Sequence, residues 1–148
     1  QRLDPIKMIS RNTWYFLGIN SCQQMLYCLK RLNEPLREHI GNGFLPLPEE
    51  YHERFVSMRD DVVKLYRRAL EMLQSGDFTD AEKLRVDGDV IQSRIIEDRK
   101  NALDTLQEGT TNLNTLFLTI HIMQESQQMI DSLRHMIRGM DCFAGSGE

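Results

Sequence analysis

Cysteine and proline are scarce in this chain, and an apolar run of membrane-spanning length is missing altogether. The three cysteines, Cys22, Cys28 and Cys142, fit no metal-binding spacing. Their odd number argues against a disulfide-built secreted module and for a reducing compartment. No stretch approaches the ~20 consecutive apolar residues that cross a bilayer, and nothing resembles a signal peptide. Excess charge is lacking too. Eighteen basic and 22 acidic residues leave a net charge of -4, with both signs scattered along every segment, so nucleic acid is not an expected partner. There is no glycine-rich phosphate loop, no nucleophile at a catalytic spacing from a base, and no paired acid and base, which removes the usual signatures of an enzyme. At 148 residues the chain suits one domain, 1-148, long enough to bury roughly 70% of its unfolded surface without staples. Because it opens on Gln1 rather than Met, it is expected to be a piece of a longer protein, with room for a membrane part upstream.

What the chain does contain is a repeat. Gln23-Gln24-Met25-Leu26-Tyr27-Cys28-Leu29-Lys30-Arg31-Leu32 returns 104 residues later as Gln127-Gln128-Met129-Ile130-Asp131-Ser132-Leu133-Arg134-His135-Met136. Such self-similarity marks one structural unit used twice, so the first and last long segments should play equivalent roles. Between them the periodicity is helical. Asp4-Pro5 opens a first helix that runs to about Asn33 or somewhat beyond, with Glu34-Pro35 as a stop or kink. Residues 41-48, rich in glycine and proline, form the linker. A second helix places Phe55, Met58, Val62, Leu65, Ala69 and Met72 at alternating spacings of three and four, a seam that faces partner helices. Gly76 ends it, and Thr79-Asp80-Ala81-Glu82 has the form of a capping box for the third helix, which carries Ala81, Leu84, Ile91, Ile95, Ala102 and Leu106. After a break at residues 108-112, a fourth helix runs through Leu113, Leu116, Ile120, Met123, Ile130 and Ile137 towards Gly139. Residues 144-148 are expected to be frayed. The pattern predicts an all-α, up-and-down four-helix bundle.

From Phe55 to Asp89 the text FVSMRDDVVKLYRRALEMLQSGDFTDAEKLRVDGD resembles the first two helices of a PhoU repeat. Gln127-Gln128-Met129-Ile130-Asp131 occupies the place of the acidic motif that ends the family's third helix. The resemblance covers about residues 10-140 and implies a PhoU-like domain built of one three-helix repeat plus one extra helix. It further implies a setting: a non-catalytic regulatory domain behind the membrane part of a sodium/phosphate cotransporter, on the cytoplasmic face of the cell membrane. The partners would be its own upstream transmembrane domain or another copy of itself. A metal-binding PhoU-like protein, or a metal-dependent bundle enzyme, is the alternative.

PhoU-like proteins are associated with metal clusters held by an acidic residue and an Asp four positions later, a spacing that sets both carboxylates on one helix face. Here Gln127 precedes Asp131, Gln23 precedes Tyr27, and Asp87 precedes Ile91. With only Asp87, Asp131 and the amides Gln127 and Gln23 left as a ligand set, no cofactor or metal is expected. Glu49-x-x-His52 is half of a di-iron signature that would need the motif twice. The one-turn pairs His121/Glu125 and Asp131/His135 read as hydrogen bonds, Arg67-Arg68 as a solvated face, and the eight methionines as core filler. The cluster Trp14, Tyr15, Phe16 and Leu17 exceeds what one helix can bury on one side, and is assigned to an interface.

Overall fold

The structure, a computed structural model, describes residues 5-44, 46, 48-107 and 112-145. Four helices account for nearly all of them: α1 (Pro5–Gly41), α2 (Glu49–Ser75), α3 (Ala81–Gln107) and α4 (Leu113–Gly145). Successive helices alternate in direction, which makes an up-and-down four-helix bundle. Its layout is uneven. Among the described residues, backbone packing joins α4 to each of the other three helices and α2 to α3, whereas α1 lies against α4 alone. The last helix in sequence is therefore the axis of the fold.

The seam on α2 is buried as its spacing predicts. Met58, Leu65, Ala69 and Met72 are sealed, with Phe55 and Val62 partly covered. They meet Leu84, Ile91 and Ile95 of α3 and Met123, Ile130, Leu133 and Ile137 of α4 in one core. A smaller cluster of Tyr51, Ala102 and Leu116 closes the far end. Leu113, by contrast, stands exposed at the first position of α4. Between the helices run ion pairs: Arg54 with Asp98 at 3.3 Å, Arg68 with Asp87 at 2.5 Å, and Arg94 with Asp61. Arg68 is thus tied to α3 rather than solvated with its neighbour Arg67.

Pro35 does not stop α1, which continues to Gly41. A proline inside a helix cannot donate to the carbonyl four residues earlier, here that of Arg31. His121 of α4 supplies the missing donor, with Nε2 at 2.8 Å from that oxygen. Since a carbonyl only accepts, His121 carries its proton on Nε2. Replacing His121 by Ala should free the carbonyl again, and faster amide hydrogen exchange over residues 36-41, relative to the rest of α1, is the expected readout. An unchanged exchange pattern would remove His121 from that role.

The start of α3 differs from a capping box. Asp77 accepts from both the amide and the hydroxyl of Thr79, at 3.0 and 2.5 Å, and these bonds hold its carboxyl below the usual range. Glu82 turns to Arg85 instead of reaching back, and that contact lowers its pKa likewise. Both groups favour the charged, folded form, so their contribution is present above the ordinary carboxylate pKa of about 4 and is lost as pH falls below it. The melting temperature should accordingly fall below pH 4 by less in the Asp77→Asn, Glu82→Gln double variant than in the parent. At the other end α4 extends to Gly145, so Ala144 and Gly145 are helical. The Asp4 cap, the Leu106 side chain, residues 108-111 and residues 146-148 lie outside the described residues.

Candidate docking face

Because α1 and α4 carry the repeated segment, their packing can be compared position by position. Small residues line the contact: Gly18, Ser21 and Cys28 on α1, Ser126, Ser132 and Gly139 on α4, all buried. The backbones approach closely at Gly18 and Gly139, where a Cβ added to Gly139 would lie 2.9 Å from the Trp14 carbonyl oxygen and 3.1 Å from the Gly18 nitrogen. Further along, the Cys22 thiol donates to the Met136 sulfur at 3.1 Å, and Arg31 Nε reaches both carboxylate oxygens of Glu125 at 2.9 Å. Pairs that ascend α1 descend α4, so the helices are antiparallel. The offset of 104 then acts as an approximate two-fold axis: it carries Met25 onto Met129 and Cys28 onto Ser132, and the Cys22 and Met136 pair onto Ser126 and Leu32. Each of these residues is buried or half-buried.

The same operation exposes a difference. On its other side α4 presents Ile120, Met123, Ile130 and Leu133 to α2 and α3, with the last three at 1%, 0% and 1% exposure. Their α1 equivalents are Phe16, Ile19, Leu26 and Leu29, at 61%, 37%, 67% and 49%. One helix of the related pair is covered and the other is bare. The bare face is also free of charge, since the 18 positions from Asn12 to Leu29 hold no Asp, Glu, Lys or Arg. That stretch is about 27 Å of helix at the standard rise. Among the described residues no helix is long and apolar enough to cross a membrane.

No family model, curated protein or solved structure matches the chain, and the face is assigned from the chain's own residues.

The aromatic cluster divides across α1. Trp14 and Leu17 are half-buried, Trp14 beneath the Arg138 guanidinium at 5.8 Å. Tyr15 and Phe16 are exposed, Tyr15 leaning on Phe143 at 5.8 Å between ring centres. Only Tyr15 and Phe16 belong to the open face, and Ile19, Leu26 and Leu29 extend it. Sequence reading missed these three because periodicity marks apolar positions without saying which side of the helix is already occupied.

The residues considered as metal ligands are held apart. Gln127 accepts from Arg99 Nη1 at 2.8 Å, which turns it towards α3. Its counterpart Gln23 lies on the open face of α1, in a shallow groove with Leu26, Tyr27 and Lys30. Asp87 pairs with Arg68, and Asp131 with Arg134 at 3.4 Å. Arg134 also binds Asp89 at 2.6 Å and Gln92 at 3.1 Å, so these acids already have cations. Among the described residues no group of three or more His, Cys, Asp or Glu is placed to hold a metal ion. His121 and Glu125 clasp α1 at Arg31 instead of pairing with each other. His52 and Glu49 are exposed at the start of α2. Elemental analysis of the purified chain is expected to find less than one metal per molecule. The triple variant Gln23→Glu, Tyr27→Asp, Gln127→Glu should gain no metal-induced rise in melting temperature, because Gln23 and Gln127 sit on faces that do not meet. A chelator-sensitive rise would restore the metal-binding alternative.

Of the two thiols between α1 and α4, Cys28 is buried and Cys22 half-buried. Desolvation by burial pushes both Cys22 and Cys28 above the ordinary thiol range, and burial does the same to the Tyr66 phenol, which donates to the Met129 carbonyl at 3.3 Å. A thiol held in its protonated form is a poor nucleophile. Their place is structural: two small side chains where α1 and α4 come together.

Proposed function

We propose that this chain is a non-catalytic docking module, which offers the outer face of α1 to a helical partner while α2, α3 and α4 supply a stable platform. The observation that carries this reading is the bare apolar row Phe16, Ile19, Leu26 and Leu29 beside its counterpart on α4, where Met123, Ile130 and Leu133 are buried and Ile120 half-buried. Exposed apolar rows of this extent mark interaction surfaces in soluble domains. The resemblance to PhoU repeats adds the setting: regulation of phosphate transport at the cytoplasmic face of the membrane, as part of a sodium-dependent phosphate transporter-like protein. In cells that carry the gene, Leu26→Asp should change sodium-dependent phosphate uptake. The purified variant should melt within a degree or two of the parent, since Leu26 is exposed. Uptake that stays at the parental rate would remove the transport setting.

A further inference from the structure

We infer that the open face of α1 is the seat of a second helical hairpin of the α2–α3 kind, borne by a partner outside these 148 residues, with an Arg that donates to Gln23 and an acid that pairs with Lys30. This rests on the docking reading and names the occupant. The template is internal. The two-fold that relates α1 to α4 carries the covered face of α4 onto the bare face of α1, and the α2–α3 hairpin is what covers it there. Four apolar positions correspond: Phe16 with Ile120, Ile19 with Met123, Leu26 with Ile130, and Leu29 with Leu133. The polar positions correspond as well. Gln127, bonded by Arg99 of α3 at 2.8 Å, matches Gln23, and Arg134, paired with Asp89 of α3 at 2.6 Å, matches Lys30, whose ammonium lies 3.9 Å from an exposed Glu34.

A second copy of the chain does not meet the need, because its own hairpin is already seated on its own α4. Nor does the face itself call for a strongly charged partner, since it carries no charge between Asn12 and Leu29. What it lacks is an apolar seam spaced at three and four, of the kind that α2 presents with Met58, Leu65, Ala69 and Met72.

The two seats are related closely enough that the chain's own hairpin can serve as the probe. A peptide spanning residues 49-107 is titrated into the intact chain, with hydrogen exchange read along α1 and affinity by calorimetry. Amides around residues 16-29 should exchange at least tenfold more slowly when the peptide is bound, and Leu26→Asp in the intact chain should abolish that protection. Arg99→Ala in the peptide should weaken binding about tenfold, the ordinary worth of one charge-assisted hydrogen bond. Gln23→Ala in the chain should cost a similar factor and add little to the loss in the double variant. Protection confined to α2, α3 and α4, which signals mere exchange of hairpins, would overturn the proposal, as would no protection at all. Sedimentation of the chain without peptide supplies the remaining check: a dimer that Leu26→Asp dissociates would make a second copy the occupant. In that outcome the docking reading stands while the hairpin falls.

Discussion

Replacing Leu65 by Ala should lower the free energy of unfolding by roughly 2–5 kcal/mol, the range for removing a large aliphatic side chain from a packed interior. Leu65 is only 2% exposed, near the middle of the α2 seam, in the cluster that joins α2 to Leu84 and Ile95 of α3 and to Ile130 of α4. The neighbouring change Arg67→Ala removes an exposed side chain and should stay within about 0.5 kcal/mol. Urea unfolding of the two variants side by side checks both. A loss below about 0.5 kcal/mol for Leu65→Ala would show that the seam is not the centre of the core.

The second large effect is expected from a single added methyl group. Ala is the better helix former by about 1 kcal/mol, so Gly139→Ala would stabilise an isolated α4. In the folded chain its Cβ would lie 2.9 Å from the backbone oxygen of Trp14. A backbone atom cannot swing aside as a side chain can, so α1 and α4 must separate. Overpacking of this kind typically costs about 1–3 kcal/mol, and the clash should win over the propensity. Gly145→Ala is the control: a Cβ there meets nothing within 4 Å, and at the last position of α4 the change should stay within about 0.5 kcal/mol. If Gly139→Ala were no more destabilising than Gly145→Ala, the close crossing of the two helices would be wrong.

Much of the fold was legible because it is written locally. The spacing of Phe55 to Met72 needs no knowledge of the rest of the chain, and the linker at 41-48 and Gly76 fall where the helices end. The misreadings share a physical cause: each concerns what lies across from a residue. Pro35 reads as a stop until His121, 86 positions later, is seen to satisfy the carbonyl that proline leaves open. Glu125 reads as a hydrogen-bond partner of His121 until Arg31 is found beside it. Glu82 fits a cap by spacing, yet Arg85 one turn away competes for its carboxylate. For the docking face the repeat was the usable signal. It identified Gln23 and Gln127 as equivalents, but which of the two is covered depends on where α2 and α3 settle, and that is decided by packing rather than by pattern.

The central position of α4 also fixes an order of events. A chain emerging from the ribosome exposes α1, α2 and α3 first. Of these, α2 and α3 can pair, whereas among the described residues α1 has no backbone neighbour except α4. The inner face of α1, and the side of the α2 seam that meets α4, must then stay unsatisfied until α4 is made. Contacts between α1 and α4 span about a hundred residues of sequence, far from the local pairing that lets most helical bundles fold fast. Nascent chains ending near residue 112 should therefore be cut readily by protease and held by chaperones, and resistance should arrive abruptly once residues up to about 140 have cleared the exit tunnel. The contact between α1 and α4 is therefore made only once α4 itself has emerged.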